Sequence, residues 1–135
     1  MNTFTTRLGP TEILTEIRIP SPRKKSGGAY LKLERKVGDF AIVGVAAQIT
    51  LGDGAICADA GIGLAGAGPK PIKATLAEKA LIGKKISDDS IKKAAKISAE
   101  NTDPPSDIRS SSEYRKAMVE VFTRRALQDA LDRMA

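Results

Sequence analysis

Few side chains in this sequence are equipped for chemistry, and the most useful of them lie between residues 28 and 64. Tyr30 and Lys32 stand two apart in an alternating run, so a strand would aim both from one face. Two readings stay open for them. They are an exposed aromatic and a lysine whose methylenes lie along the surface. Alternatively they line a surface that closes over a flat anionic or π-rich ligand, the phenol shielding a ring face and the ammonium donating a charge-assisted hydrogen bond. Gly61, Gly63 and Gly66 match the GxGxxG pattern after a predicted strand. Dinucleotide binding by that pattern needs a helix to begin at once, with its amides on the pyrophosphate. Pro69 and Pro71 delay any helix, so the glycines read instead as places where a neighbour packs closely on the sheet. Cys57 lies inside a strand with no Lys or Arg close in sequence to lower its pKa, and reads as small buried filler. Asp107, Arg109, Ser110, Glu113, Tyr114 and Arg115 form a dense polar cluster. It reads as helix capping with local ion pairs, or else as a subunit contact.

The residues that are missing narrow the chemistry further. The chain has no histidine, which removes a Ser-His-Asp triad, a Cys-His pair and any His-ligated metal site. An enzyme built from this chain alone would rely on Lys, Tyr or carboxylates. One cysteine allows no intrachain disulfide, which fits a cytoplasmic location. The net charge of +6 invites a nucleic-acid reading. Its clusters, Arg23-Lys24-Lys25, Lys84-Lys85 and Lys92-Lys93, carry no interleaved aromatics, so no base-stacking platform forms and solvated surface is the reading. Met1-Asn2-Thr3 reads as an arbitrary start, and the N-terminus lacks the charged region and apolar core of a signal peptide. No apolar run approaches the roughly 20 residues of a membrane span.

The elements that must position these groups can be read from periodicity. With 135 residues, the chain fits one domain with a single modest core. Residues 11–20 alternate, Thr15, Ile17 and Ile19 against Glu16 and Arg18, and predict a half-buried strand ended by Pro20 and Pro22. Residues 21–28 read as a flexible basic loop. A strand is expected over 30–36, with Leu31 and Leu33 opposite Tyr30, Lys32 and Glu34. Residues 41–51 follow, with Val43, Val45, Ala47, Ile49 and Leu51 on the oily face. Gly52-Asp53-Gly54 is a hairpin turn. The return strand is expected to place Ile56, Ala58, Ala60, Ile62 and Leu64 on one side.

Helices should cover that side. Thr75 with Glu78 fits a capping box for a short helix with Leu76, Ala77, Ala80 and Leu81 inward, stopped at Gly83. Ser87, Asp88 and Asp89 open a second helix, whose inner face is Ile91, Ala94, Ala95, Ser98 and Ala99 and which ends at Asp103-Pro104-Pro105. Ser110 with Glu113 fits another capping box, for a long helix through about Leu131 with Met118, Val121, Phe122 and Leu127 inward. The expected fold is α+β: a three-stranded antiparallel sheet, with a short N-terminal strand as an optional addition, and about three helices on one face.

An ordered set of segments carries a family resemblance. These are residues 12–20 (EILTEIRIP), 29–36 (AYLKLERK), 38–47 (GDFAIVGVAA), the Gly/Pro stretch 66–74, 77–83 (AEKALIG), 106–116 (SDIRSSSEYRK) and 123–127 (TRRAL). In that order, over about 11–127, the chain resembles the C-terminal domain of the FAD-binding medium subunit of the molybdenum hydroxylases, the carbon monoxide dehydrogenase and xanthine dehydrogenase family. The resemblance implies a three-stranded antiparallel sheet with packed helices. It implies a subunit in which electrons pass from molybdenum through 2Fe-2S clusters to FAD and on to an acceptor. Its implied partners are the FAD-binding domain, a molybdopterin large subunit and a 2Fe-2S small subunit. Tyr30 would correspond to the aromatic at the flavin ring, and Lys32 to a basic residue near its polar edge. Residues 1–20 would be a linker from a preceding FAD-binding domain, and 21–135 the domain itself.

The chain before Thr11 is too short to supply that domain's glycine-rich loops. The expectation is therefore a chain cut at the domain boundary, a split gene product or one piece of a multi-chain protein. By itself it should show neither tight FAD binding nor turnover. A stand-alone assembly module without cofactor and a weak basic nucleic-acid binder are the competing readings.

Overall fold

The structure, a computed structural model, describes residues 5–134. The reading of Met1-Asn2-Thr3 lies outside those residues. Four strands form one antiparallel meander: β1 (Ser26–Leu33), β2 (Val43–Leu51), β3 (Cys57–Ala65) and β4 (Ile72–Lys73), in that spatial order. Three helices follow: α1 (Thr75–Leu81), α2 (Asp88–Glu100) and α3 (Ser112–Asp132). α3 packs on β1 and β2, α1 packs on β3, and α2 bridges the two helices. All three thus lie over one side of the sheet, as its alternation demands.

β2 supplies the centre of the core. Val43, Val45, Ala47 and Ile49 are buried on the helix side, and Leu51 is partly buried. From β3, Ala60, Ile62 and Leu64 join them. The expected phase breaks at the strand's start. Ile56 and Ala58 are exposed, and Cys57 is buried instead. The cause is a bulge: Thr50 pairs with Asp59 but Leu51 pairs with Cys57, so Ala58 is passed over and the facing flips.

The predicted N-terminal strand does not form. Residues 11–20 are extended but unpaired, with Ile13, Ile17 and Ile19 each more than three-quarters exposed. Alternation signals a strand only where a sheet receives it, and none does among the described residues. The fourth strand is β4, which pairs with Gly63 and Leu64. β1 also starts earlier and stops sooner than expected, since residues 26–29 belong to it and 34–36 do not. The Ser26 and Thr50 hydroxyls lie 2.7 Å apart and tie its first residue to β2. Gly27 makes the start possible: a Cβ there would stand 1.8 Å from the Ala130 carbonyl oxygen of α3.

Helix caps divide into those read correctly and those shifted. α2 behaves as expected, with a Ser87–Ser90 capping box and Ile91, Ala94, Ala95, Ser98 and Ala99 all buried. α1 has no side-chain cap: Ala74 is its N-cap, and Leu76 is exposed. Glu78 turns inward instead, accepting a hydrogen bond from the Ile62 N–H at 2.8 Å. β4 is too short to satisfy that edge amide, so a helix carboxylate does. α3 is capped by Ser111, one residue later than expected, through the Tyr114 N–H. Its buried face is Arg115, Val119, Thr123, Ala126, Leu127 and Ala130. Of the expected inner residues, Leu127 is buried, while Met118, Val121 and Phe122 are half-covered.

Candidate functional site

The sheet face turned away from the helices is where the candidate residues converge. Tyr30 and Lys32 project from it together, opposite Ala46 and Gly44 of β2. Tyr30 remains 58% exposed, so neither packing nor the helices seal it. Its ring lies along the sheet over Gly44. A Cβ on Gly44 would stand 2.9 Å from the Tyr30 hydroxyl and 3.5 Å from the ring. The glycine gives the phenol a flat seat, with the opposite ring face toward solvent.

Lys32 is held by two groups from its own chain. Its ammonium pairs with the Glu34 carboxylate and donates to the Asp39 carbonyl oxygen at 3.1 Å. The hydrogen bond that Lys32 donates to Glu34 raises its pKa above the ordinary value, opposed by partial desolvation and assisted by the charges of Glu34, Tyr30 and Asp39. The side chain is therefore a fixed cation at neutral pH. An ammonium carries three donors, and two are used. The third has no partner among the described residues. Glu34 and Asp39 were not singled out in the sequence. Glu34 was legible as the next residue on the Tyr30–Lys32 face, whereas the Asp39 carbonyl reaches Lys32 only because the following loop folds back.

Beyond these two residues the face is nearly bare. Gly28, Ala46, Gly61 and Gly63 form a floor, with Gln48 and Lys73 at its edge. The packed neighbour expected at the glycines is absent among the described residues: a Cβ on Gly61 would meet nothing within 4 Å, and one on Gly63 only the Ala46 methyl at 3.9 Å. Nor is GxGxxG a phosphate loop here. Gly61 and Gly63 sit inside β3, Gly66 turns the chain with φ +70°, and α1 begins only at Thr75.

The other candidates are structural. Cys57 is fully buried, its thiol directed at the Asp59 carbonyl, and burial pushes its pKa up. The polar cluster before α3 is organised around Arg115, which is buried. Arg115 donates through Nη1 to the Ile42 carbonyl at 2.6 Å and through Nη2 to Asp107 Oδ1 at 2.9 Å. The same Asp107 oxygen accepts from the Arg109 and Ser110 amides. Those bonds, the Arg109 amide foremost, hold the Asp107 carboxyl below the usual carboxylate range. No group of three potential metal ligands exists among the described residues.

The comparisons with known proteins agree with this architecture. The family model for the CO dehydrogenase flavoprotein C-terminal domain matches residues 28–130. The chain belongs to this family. It is 39% identical over 127 residues to the carbon monoxide dehydrogenase medium chain of Afipia carboxidovorans, covering 94% of this chain and 44% of that one. It is 36% identical over 126 residues to the glyceraldehyde dehydrogenase medium chain of Sulfolobus acidocaldarius, covering 93% and 44%. The solved carbon monoxide dehydrogenase of Hydrogenophaga pseudoflava superposes with a TM-score of 0.94 at 33% identity, over all of this chain and 47% of the other. The chain thus spans less than half the length of these relatives, and what is matched is the flavoprotein's C-terminal domain. Among the described residues no helix is long and apolar enough to cross a membrane.

Proposed function

We propose that this domain completes the FAD site in the flavoprotein subunit of a cytoplasmic molybdenum hydroxylase. The observation that carries the reading is the pairing of Tyr30 and Lys32 on an open sheet face floored by glycine and alanine. A planar ring system fits there. No Cβ obstructs its approach across Gly61, and the phenol already lies flat with one face free. FAD would supply the redox chemistry, within a route from molybdenum and 2Fe-2S centres to an external acceptor. The chain's own residues would bind and orient. Tyr30 would cover one ring face and exclude water from it. Lys32, fixed by Glu34 and the Asp39 carbonyl, would direct its remaining N–H to an acceptor atom at the ring's polar edge.

The reading includes a division of labour. Residues 1–20 would be the linker from a preceding FAD-binding domain, which holds the cofactor's phosphates, and residues 21–135 the domain that closes over the ring. Companion chains carrying molybdopterin and 2Fe-2S clusters would complete the enzyme. The test is flavin titration by fluorescence quenching. The lone domain should bind weakly, with a dissociation constant well above micromolar. The complete subunit should bind tightly, and Tyr30→Ala should weaken that binding about tenfold, on the scale of a lost aromatic stacking contact. A submicromolar dissociation constant for the lone domain would overturn that division of labour, and an unchanged affinity in Tyr30→Ala would overturn the flavin assignment.

A further inference from the structure

The polar cluster before α3 has no part in the flavin reading, yet it grips the loop that holds Lys32. The link is a single peptide unit, the one joining Asp39 to Phe40. Its carbonyl oxygen accepts from the Lys32 ammonium at 3.1 Å, and its N–H donates to Asp39 Oδ1 at 2.8 Å. In a trans peptide the C=O and N–H point opposite ways, so whatever fixes the plane also aims the carbonyl. The Phe40 side chain supplies a second constraint. Its ring is 76% exposed, and the Arg109 guanidinium lies over it at 5.3 Å from the centroid. Two residues further on, the Ile42 carbonyl accepts from Arg115 Nη1 at 2.6 Å, while the Ile42 N–H bonds the Leu33 carbonyl at 2.8 Å. Both grips trace to one carboxylate oxygen. Asp107 Oδ1 accepts from the Arg109 amide at 2.8 Å and from Arg115 Nη2 at 2.9 Å. Arg115 is buried, so the turn that carries Arg109 is anchored to the core. The loop itself offers less: Val37 is fully exposed, and Gly38 has φ +86° with nothing near its Cα.

We propose that Arg109 is a positioning residue for Lys32: seated on the Phe40 ring, it orients the Asp39 carbonyl that holds the ammonium. Arg109 acts at one remove, through Phe40 and the peptide behind it. A lysine ammonium sits on a flexible four-carbon stem, and one partner leaves it free to pivot. With Glu34 alone, Lys32 could swing about that carboxylate. With the Asp39 carbonyl as a second acceptor, two of its donors are fixed, and the direction of the third follows. The hydrogen-bond chain from Arg109 to Lys32 belongs to this chain by itself. Its consequence for a cofactor rests on the function proposed above, in which the third donor meets the flavin's polar edge.

The experiment has two arms. In the first, NMR on this chain reads the coupling across the hydrogen bond between Lys32 Nζ and the Asp39 carbonyl carbon. Wild type should show it. Arg109→Ala and Phe40→Ala should each abolish it while the Lys32–Glu34 coupling stays. Phe40→Tyr, which keeps the ring, should restore it. The double variant should be no worse than either single one, because both break the same contact. Arg109 and Phe40 are exposed, so the thermal midpoint should stay within a few degrees of wild type. A general loosening of the fold would instead lower the midpoint and weaken both couplings. In the second arm, flavin is titrated into the complete subunit. Arg109→Ala should weaken binding about threefold, the scale of one exposed cation–π contact. A Lys32–Asp39 coupling that is absent in wild type, or that survives both alanine variants, would overturn the inference. So would loss of both couplings with a lowered midpoint, which would make Arg109 a folding residue. Coupling lost as expected with flavin affinity unchanged would uphold the positioning of Lys32 and remove Lys32 from the flavin site.

Discussion

Two residues differ in what they owe to the fold, and the difference can be measured. Tyr30 rests on Gly44 and is mostly solvated, so Tyr30→Ala should change domain stability by less than about 0.5 kcal/mol in urea unfolding, as surface substitutions usually do. Its effect should appear in flavin affinity only. Asp107 is the opposite case. Its carboxyl is depressed below the usual value by the Arg109 amide, Arg115 and the Ser110 amide. A depressed acid contributes stability that is present above its unfolded pKa, near 3.8, and lost as pH falls through its lower folded value. Thermal melts below about pH 4 should therefore lose midpoint more steeply in wild type than in Asp107→Asn. Equal slopes would show that the bonds around Asp107 carry no net stabilisation. Lys32 runs the other way. Its raised pKa gives stability that is complete below its unfolded value of 10.5 and lost as pH rises through the folded one.

At the scale of elements, the contacts that place α3 are the ones single substitutions should expose. Gly27→Ala puts a methyl 1.8 Å from the Ala130 carbonyl oxygen, so either β1 or the end of α3 must move. Overpacking of backbone against backbone should cost about 2–3 kcal/mol in urea unfolding. Thr123 gives a prediction of opposite sign. It is fully buried on α3 and its hydroxyl has no hydrogen-bond partner. Thr123→Val keeps the shape and removes the unpaired polar group, and should stabilise by about 1 kcal/mol. α1 shows why local patterns misled at the same scale. Thr75 and Glu78 have the capping-box spacing, yet the carboxylate is worth more on the bare Ile62 amide of β3 than on its own helix end. An edge left open by a two-residue strand is a tertiary demand that no window of helix sequence contains.

The whole molecule is a domain with one finished side and one unfinished side. Its helices bury the centre of the sheet's oily face, leaving Leu31, Leu33 and Leu51 partly covered, while the outer face shows bare backbone at Gly61 and Gly63. Gly61→Val tests what that bareness is for. With nothing within 4 Å, the valine should leave the domain's thermal midpoint within a few degrees of wild type, since less than about 1 kcal/mol is at stake in a small domain. In the complete subunit it should lower flavin content markedly. A loss in the isolated domain as well would make Gly61 a folding residue and remove its part in the site. The exposed arm over residues 11–20 belongs to the same pattern, because its alternating isoleucines meet no sheet among the described residues.

Sequence alone determined the elements whose signals are local. The period-two run through Val43 and Ile49, the Asp-Gly turn and the Ser87 cap each rest on backbone chemistry within a few residues, so one sheet with helices on one side was readable. So was the shared facing of Tyr30 and Lys32, which follows from alternation in any strand. Tertiary structure decided what depends on distant partners. The Ala58 bulge reverses the facing of Cys57, the Ile62 amide draws Glu78 from its helix end, and Arg115 joins α3 to the Ile42 carbonyl. It also decided that the arm stays unpaired while Ile72 and Lys73 become the edge strand. A strand exists only where another backbone meets it, and that meeting is set by the folded chain rather than by the run of residues that makes it.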